Sequence, residues 1–152
     1  MNDKWCAYTD GAYSKKCPEG VAIGIILLDS NNNRYKCSAF IIDEFLSRFN
    51  NVGGEVFAAY CAAKYAFYHG CNSLVVYHDY LGVANWITGL WEAKSLIANH
   101  YVYKMNRLMS RGLQITFKHV RSHSGNKWND YVDMLSKQAL NYRVDSIKRR
   151  NI

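Results

Sequence analysis

Proline is almost absent from this sequence, which contains one among its 152 residues, and no segment repeats another. This scarcity leaves little room for a disordered linker. Hydrophobic residues make up 49%, aromatic residues 14% and charged residues 20% of the chain, as in an ordinary packed protein. Because a chain of this length can be built around one core, we expect a single domain in which nearly every residue folds.

Cysteines do not occur in C-x-x-C pairs, and their number, five, is odd. Most of them lie inside apolar runs, which is typical of free thiols in a reducing compartment, so we expect neither a disulfide framework nor a zinc site. The sequence also has no apolar stretch of 18 residues and no apolar leader near its first residue. We therefore expect a cytoplasmic protein that makes no membrane contact.

Acidic residues are outnumbered by basic ones, 12 Asp and Glu against 19 Lys and Arg, which gives a formal net charge of +7. The sequence pI is about 9.2. A molecule with this charge attracts polyanions before any specific contact forms, so nucleic acid is the first candidate partner. The alternative is a solvated basic surface without a partner, and charge alone leaves that alternative open.

Hydrophobic periodicity predicts three strands, a helix, a strand, two helices, a strand and a final helix. The predicted strands cover residues 5–9, 21–28, 35–42, 73–77 and 113–120, and the predicted helices cover 55–68, 81–87, 95–110 and 129–142. A strand, helix, strand order favours a parallel pair, so we expect an α/β fold with a mixed five-stranded sheet: three antiparallel strands, then two parallel ones, flanked by helices. Residues 1–145 form the expected domain, and residues 146–152 a basic tail that frays.

Four acidic residues lie at the ends of predicted elements: Asp10, Glu55, Asp79 and Asp133. If the first and fourth strands are neighbours, Asp10 and Asp79 meet at the carboxyl edge of the sheet. Clustered carboxylates repel one another unless hard divalent cations compensate, and Mg²⁺ or Mn²⁺ fits oxygen ligands best. Two such ions about 3.5–4 Å apart can hydrolyse a phosphodiester without a protein nucleophile.

Each of these acids also has a purely structural interpretation. An Asp-Gly pair such as Asp10-Gly11 is common in turns. Glu55 would be favourable at any helix N-terminus because of the helix dipole, and Asp130 is a plausible cap of the last helix. Taken one at a time, the acids leave both interpretations open.

Four ordered motifs, read together, resemble the type 1 ribonuclease H family from about residue 5 to residue 140. The motifs are YTDG at 8–11, NVGGE at 51–55, YHDY at 77–80, and HSG at 123–125 followed by Asn129 and Asp133. Asn129 and Asp133 are four residues apart and share a helix face, whereas Asp130 points away from it. The metal ligand in this motif is therefore assigned to Asp133.

The resemblance implies a ribonuclease H-like catalytic domain that cuts the RNA strand of an RNA–DNA hybrid. In this interpretation Asp10 bridges two Mg²⁺ ions, for which Mn²⁺ can substitute. Glu55 and Asp79 complete the ion on the leaving-group side, and Asp133 holds the ion that activates water. His123 assists proton transfer or product release without being a ligand, since a histidine titrates near working pH. We expect a monomer.

The resemblance also implies substrate contacts, each with a structural alternative. Trp86 and Trp91 flank Gly89, with Lys94 beyond them, and are similar to a short version of the family's substrate-binding handle. Core packing of at least one tryptophan is equally compatible with the sequence. Asn51 matches a position that contacts the hybrid backbone, and its alternative is an ordinary turn residue. Asn129 completes the expected substrate set.

Four departures from the family pattern affect how the hybrid is bound. Lys15 and Lys16 follow the first motif in place of a glycine-rich loop, and Leu81 stands where many members carry an amide. We also expect neither the longer basic protrusion of some bacterial members nor a separate hybrid-binding domain. Binding is then expected to depend on basic residues near the fourth motif, which are Lys118, Arg121 and Lys127.

Two other functions compete with this interpretation. A DNA-processing nuclease of the same superfamily, such as a transposase or resolvase core, would use a similar acidic cluster on a similar sheet. A non-catalytic nucleic-acid-binding module is compatible with the net charge of +7 and would make the acids incidental. The four-acid set with the His123 loop argues against both.

Overall fold

The computed structural model describes residues 3–122 and 124–150. Its strands are β1 Lys4–Ala12, β2 Gly20–Leu28, β3 Arg34–Ile42, β4 Ser73–His78 and β5 Gln114–His119. Its helices are α1 Glu44–Ser47, α2 Asn51–Tyr68, α3 Gly82–Thr88, α4 Leu96–Ser110 and α5 Lys127–Arg150. None of these helices is both long and apolar enough to cross a membrane.

The five strands form one sheet in the order β3-β2-β1-β4-β5. The pairs β1/β2 and β2/β3 are antiparallel, whereas β1/β4 and β4/β5 are parallel. Short loops join the antiparallel strands, and a parallel pair requires a long crossover, which α2 supplies between β3 and β4. The predicted mixed sheet, with three antiparallel and two parallel strands, is confirmed.

Small residues let the helices lie close to the sheet. Ala58, Ala59, Ala62, Ala63 and Ala66 line the buried side of α2 and are fully inaccessible to solvent. On the opposite face α5 rests on β2 at Gly24, where a Cβ atom would lie 2.1 Å from the Val132 carbonyl oxygen. The core therefore lies between the sheet and α2, and α5 covers part of the other face.

Glycines also hold the start of α2 against β1. A Cβ atom on Gly11 would lie 2.2 Å from the Gly54 carbonyl carbon, so only glycine permits this contact. The sequence predicted that Glu55 opens this helix, but α2 begins at Asn51 and Glu55 lies in its second turn. The low helix propensity of glycine predicts a loop at Gly53 and Gly54. In the structure both residues are helical, because the close packing that glycine allows outweighs its low helix propensity.

Two further boundaries and one short helix differ from the predictions. Asp10 was expected to end the first strand, but β1 continues to Ala12 through its pairing with β2. The short helix α1, which Asp43 caps by accepting a hydrogen bond from the Leu46 amide, was not predicted. The last helix was expected to stop near residue 142, yet α5 continues to Arg150 and includes most of the segment set apart as a basic tail. Nothing in that segment breaks a helix, and cations in its last turn are favourable at a helix C-terminus.

Candidate metal centre and active site

Three of the four predicted acids meet at one point. Oxygen atoms of Asp10 on β1, Glu55 on α2 and Asp79 after β4 all lie within 4.8 Å of one another. The parallel register pairs Tyr8 with Tyr77, so the residues two positions later, Asp10 and Asp79, project side by side at the carboxyl edge of the sheet. The assumed adjacency of the first and fourth strands is confirmed.

Burial makes this cluster electrostatically unfavourable without a cation. Asp10 is 4% exposed and Glu55 8% exposed. The pKa of Asp10 is raised to about 7, chiefly by burial and then by the charges of Asp79 and Asp133, while a hydrogen bond with Glu55 acts in the opposite direction. Burial, and then the charge of Asp10, raises the pKa of Glu55 well above its usual value.

One oxygen of the cluster has no partner. Glu55 Oε2 is buried, and none of the described residues offers it a hydrogen bond. A buried carboxylate oxygen without a donor costs free energy, and an oxygen-ligated divalent cation removes that cost. The donor set therefore fits a hard divalent ion held by Asp10, Glu55 and Asp79.

Asp133 lies beside the cluster but outside its shared coordination distance. Its Oδ2 accepts a hydrogen bond from Lys137 Nζ at 2.9 Å, one helical turn further along α5. The charge of Asp133 nevertheless contributes to the raised pKa of Asp10, so the two carboxylates lie near each other. The cap of α5 is Asn126, whose Oδ1 accepts from the Asn129 amide at 3.0 Å, so the alternative of Asp130 as the cap is wrong.

Ser136 contacts the cluster and was not predicted. Its Oγ lies 3.1 Å from Asp10 Oδ2 and 3.0 Å from the Asp133 carbonyl oxygen, and its side chain is fully buried. The available signal was helical spacing, because Ser136 lies three residues after Asp133 and thus on the same side of the helix. Ser136 orients Asp10 toward the point where the three acids meet.

Two residues near the end of β5 fix Asp79 and were also missed. Ser122 Oγ donates to Asp79 Oδ2 at 3.0 Å. His119 Nε2 donates to the Asp79 carbonyl oxygen at 2.9 Å. No motif marks these residues, because their role depends on β5 lying next to β4.

The family assignment comes from a match of residues 8–139 to the family described as reverse transcriptase-like. The chain belongs to the reverse transcriptase-like family. No curated protein matches this chain. The expected family resemblance is thus confirmed. Solved structures also share the fold of this chain.

Three solved ribonuclease H structures share the fold of this reverse transcriptase-like chain. RNase H1 from the archaeon Halobacterium salinarum NRC-1 is 21% identical, with a TM-score of 0.75 over 91% of this chain and 98% of that one. The N-terminal RNase H domain of a Mycobacterium tuberculosis protein is 18% identical, with a TM-score of 0.76 over 96% and 99%. LC11-RNase H1 in complex with an RNA/DNA hybrid is 18% identical, with a TM-score of 0.75 over 92% and 99%.

The predicted substrate residues Asn129 and Asn51 of this reverse transcriptase-like chain differ in burial. Asn129 is 3% exposed, and its buried Oδ1 has no partner among the described residues, one turn before Asp133. Asn51 is the exposed first residue of α2, one turn before Glu55. His123 lies outside the described residues.

The predicted handle forms an aromatic cluster after the third acidic motif. Tyr80, Trp86 and Trp91 contact one another edge to face, with ring centroids 5.8–6.2 Å apart. Trp86 packs against the core, which favours the structural alternative for that tryptophan, whereas Trp91 is 37% exposed. Lys94 forms an exposed ion pair with Glu92 at 3.6 Å. Trp91 is therefore the better candidate for a substrate contact.

Proposed function

We propose that this chain is a divalent-metal-dependent endonuclease that hydrolyses the RNA strand of RNA–DNA hybrids. The observation that carries the proposal is the convergence of three carboxylates from three separate elements, two of them buried, within 4.8 Å. A buried group of acids is costly for stability, so its retention favours a catalytic role. Family membership and the ribonuclease H fold support the same reaction class.

Mg²⁺ would be held by Asp10, Glu55 and Asp79, with Mn²⁺ as a substitute. We include Asp133 as a fourth ligand because its carboxylate already interacts with Asp10. Bound there, a pair of such ions would supply a nucleophilic water and would neutralise charge at the scissile phosphodiester. Ser136 and Ser122 keep Asp10 and Asp79 directed at that point through their hydrogen bonds.

The substrate assignment is supported by charge and by the structural neighbours. One ribonuclease H with this fold is bound to an RNA/DNA hybrid. The net charge of +7 favours a polyanion. Asn51 and Asn129 each lie four residues before an acid, and the Trp91 ring contacts Tyr80, the residue after Asp79. His123 remains our candidate for proton transfer. We propose a monomeric, cytoplasmic enzyme, which size-exclusion chromatography and cell fractionation would check.

The deciding experiment is a cleavage assay on labelled RNA–DNA hybrid, double-stranded RNA and double-stranded DNA in Mg²⁺. We expect cleavage of the RNA strand of the hybrid alone, at many positions, because the 2′-hydroxyl rather than base sequence is sensed. Asp10→Asn should abolish cleavage while hybrid binding is retained. The matched control is Asp130→Asn, a change on the same helix as Asp133 that should leave the rate unchanged.

Each other outcome would assign a different function. Equal cleavage of duplex DNA would point to a DNA-processing nuclease. Hybrid binding without cleavage under any divalent ion would point to a non-catalytic binding module. Full activity of Asp10→Asn would refute the carboxylate mechanism.

A further inference from the structure

A cluster of basic residues lies where α2 and α4 meet, on the face of the sheet opposite to α5. We call it the cationic groove and define it by four residues: Lys64, Lys104, Arg107 and Arg111. They surround a cavity of about 220 Å³ whose remaining wall includes Tyr60 and Tyr68. Lys64 is nine positions after Glu55 on α2, so the groove begins about 14 Å along the helix from the carboxylate cluster.

Acidic residues do not neutralise this groove. Among residues 3–122 and 124–150, no salt bridge involves any of its four cations. An adjoining cavity that shares Tyr60 and Lys104 contains one acid, Asp43, which caps α1 and forms no salt bridge with a cation of the groove in the described residues. The groove therefore keeps its positive charge without a protein counter-ion in the described part of the chain.

Aromatic rings hold the cations in place. Lys104 Nζ lies 5.3 Å and Lys64 Nζ 6.0 Å from the centre of the Tyr60 ring. The Arg111 guanidinium lies 5.5 Å from the Tyr68 ring, and its Nη1 donates to the Tyr68 hydroxyl at 2.9 Å. Because cation–π contacts and this hydrogen bond fix the side chains, like charges stay together instead of spreading into solvent. Such an arrangement attracts anions.

The shape of the groove selects among anions. Lys104, Arg107 and Arg111 follow one another at spacings of three and four residues, so they form a row about 10 Å long on one face of α4. In duplex DNA each strand carries one phosphate per about 3.4 Å of helix axis, so a row of this length is comparable with a few consecutive phosphates of one strand. The cavity is smaller than a usual small-molecule pocket of about 300–1,000 Å³. Arginine also matches the geometry of phosphate oxygens.

We propose that the cationic groove is a second nucleic-acid site, which binds the phosphate backbone of a polynucleotide strand away from the carboxylate cluster. This proposal rests on the proposed function in one respect, namely that the ligand is a nucleic acid. The groove and the carboxylates share no residue, so a variant of one leaves the other intact. Failure of binding at the groove can thus be distinguished from failure of cleavage.

The test compares two triple variants of the full chain that lose the same charge. Lys64→Gln, Arg107→Gln and Arg111→Gln together remove three exposed cations of the groove. The control, Lys148→Gln, Arg149→Gln and Arg150→Gln, removes three exposed cations from the last turn of α5. The probe is a fluorescein-labelled 24-nucleotide single-stranded DNA in EDTA, and its anisotropy is titrated from 50 to 200 mM KCl.

We expect the groove variant to bind the probe about tenfold more weakly at 100 mM KCl, and the control variant less than about threefold more weakly. The slope of log K against log salt should become about two units flatter in the groove variant, since each lost contact to a single strand contributes about 0.7. The maximal rate of hybrid cleavage in Mg²⁺ should be unchanged.

Two outcomes would overturn the proposal. Equal weakening of both variants would show that only net charge matters. Competition by inorganic triphosphate as effective as by single-stranded DNA, at equal phosphate concentration, would show that the groove takes small polyanions. If the hybrid is not cleaved but the two variants still differ in probe binding, the second site stands and the endonuclease assignment falls.

Discussion

The protonation of Asp10 affects the stability of the fold, because its carboxylate is buried among other acids. Its pKa is raised to about 7 by burial and then by the charges of Asp79 and Asp133, from a usual value of 3.8. The folded state therefore binds this proton more tightly than the unfolded state does. The stabilisation is fully present below about pH 4 and is lost as the pH rises through about 7.

Metal-free protein should accordingly lose thermal stability between pH 5 and pH 7.5, with a contribution from Asp10 on the order of a few kcal/mol. Asp10→Asn should flatten this dependence, because asparagine resembles the neutral acid and does not titrate. Mg²⁺ should raise the melting temperature at pH 7.5 more than at pH 5. Calorimetry in EDTA and in Mg²⁺ measures both effects, and an equal pH slope in Asp10→Asn would contradict this account.

Ser136 is predicted to be a positioning residue, since its hydroxyl lies 3.1 Å from Asp10 Oδ2. Ser136→Ala should lower kcat on the hybrid about tenfold and reduce stability by about 1 kcal/mol, as expected for one lost hydrogen bond. Loss of this donor disfavours the ionised carboxylate, so the acidic limb of the pH–rate profile should move to higher pH. The exposed Ser110→Ala is the control, and an unmoved acidic limb would make Ser136 merely structural.

At the scale of elements, the site depends on how closely α5 approaches β2. Gly24 permits this contact, because a Cβ atom there would lie 2.1 Å from the Val132 carbonyl oxygen and 2.8 Å from the Ser136 amide nitrogen. Since both are backbone atoms, a side chain at position 24 must displace the helix. The displaced helix carries Asp133 and Ser136 with it.

Gly24→Ala should therefore destabilise the fold by about 1–3 kcal/mol and also weaken catalysis. Urea denaturation measures the first effect, and the Mg²⁺ concentration needed for half-maximal cleavage measures the second. We expect that concentration to rise. If Gly24→Ala had the stability and the Mg²⁺ requirement of the unsubstituted protein, the contact at Gly24 would not fix the position of α5.

At the scale of the whole molecule, the net charge of +7 should govern hybrid binding. Each phosphate contact releases condensed counterions, so affinity should fall steeply with salt. The measurement uses the Asp10→Asn variant, which should bind the hybrid without cleaving it. We expect the affinity of this variant for the hybrid to fall more than about tenfold when KCl is raised from 50 to 200 mM. A flat response, measured by anisotropy in Mg²⁺, would mean that the basic surface does not contact the hybrid.

The order and type of most elements could be predicted from the sequence because they depend on local periodicity. The strand pattern of β2 and the alanine-rich pattern of α2 are visible without any partner. The four acids were proposed from motifs that resemble those of a family, and three of them meet in the structure. Boundaries were predicted less well where glycine served close packing, as at Gly53 and Gly54.

Tertiary structure alone decided which side chains share a point in space. Asp10, Glu55 and Asp79 converge because β1 pairs with β4 while α2 packs against β1, whereas Asp133 lies outside their shared distance and forms an ion pair with Lys137. Tertiary structure was also needed to recognise the contacts of Ser122 and Ser136 and the cationic groove. The physical reason is that hydrogen bonds and charges act over a few ångströms in space, whereas sequence patterns record only distance along the chain.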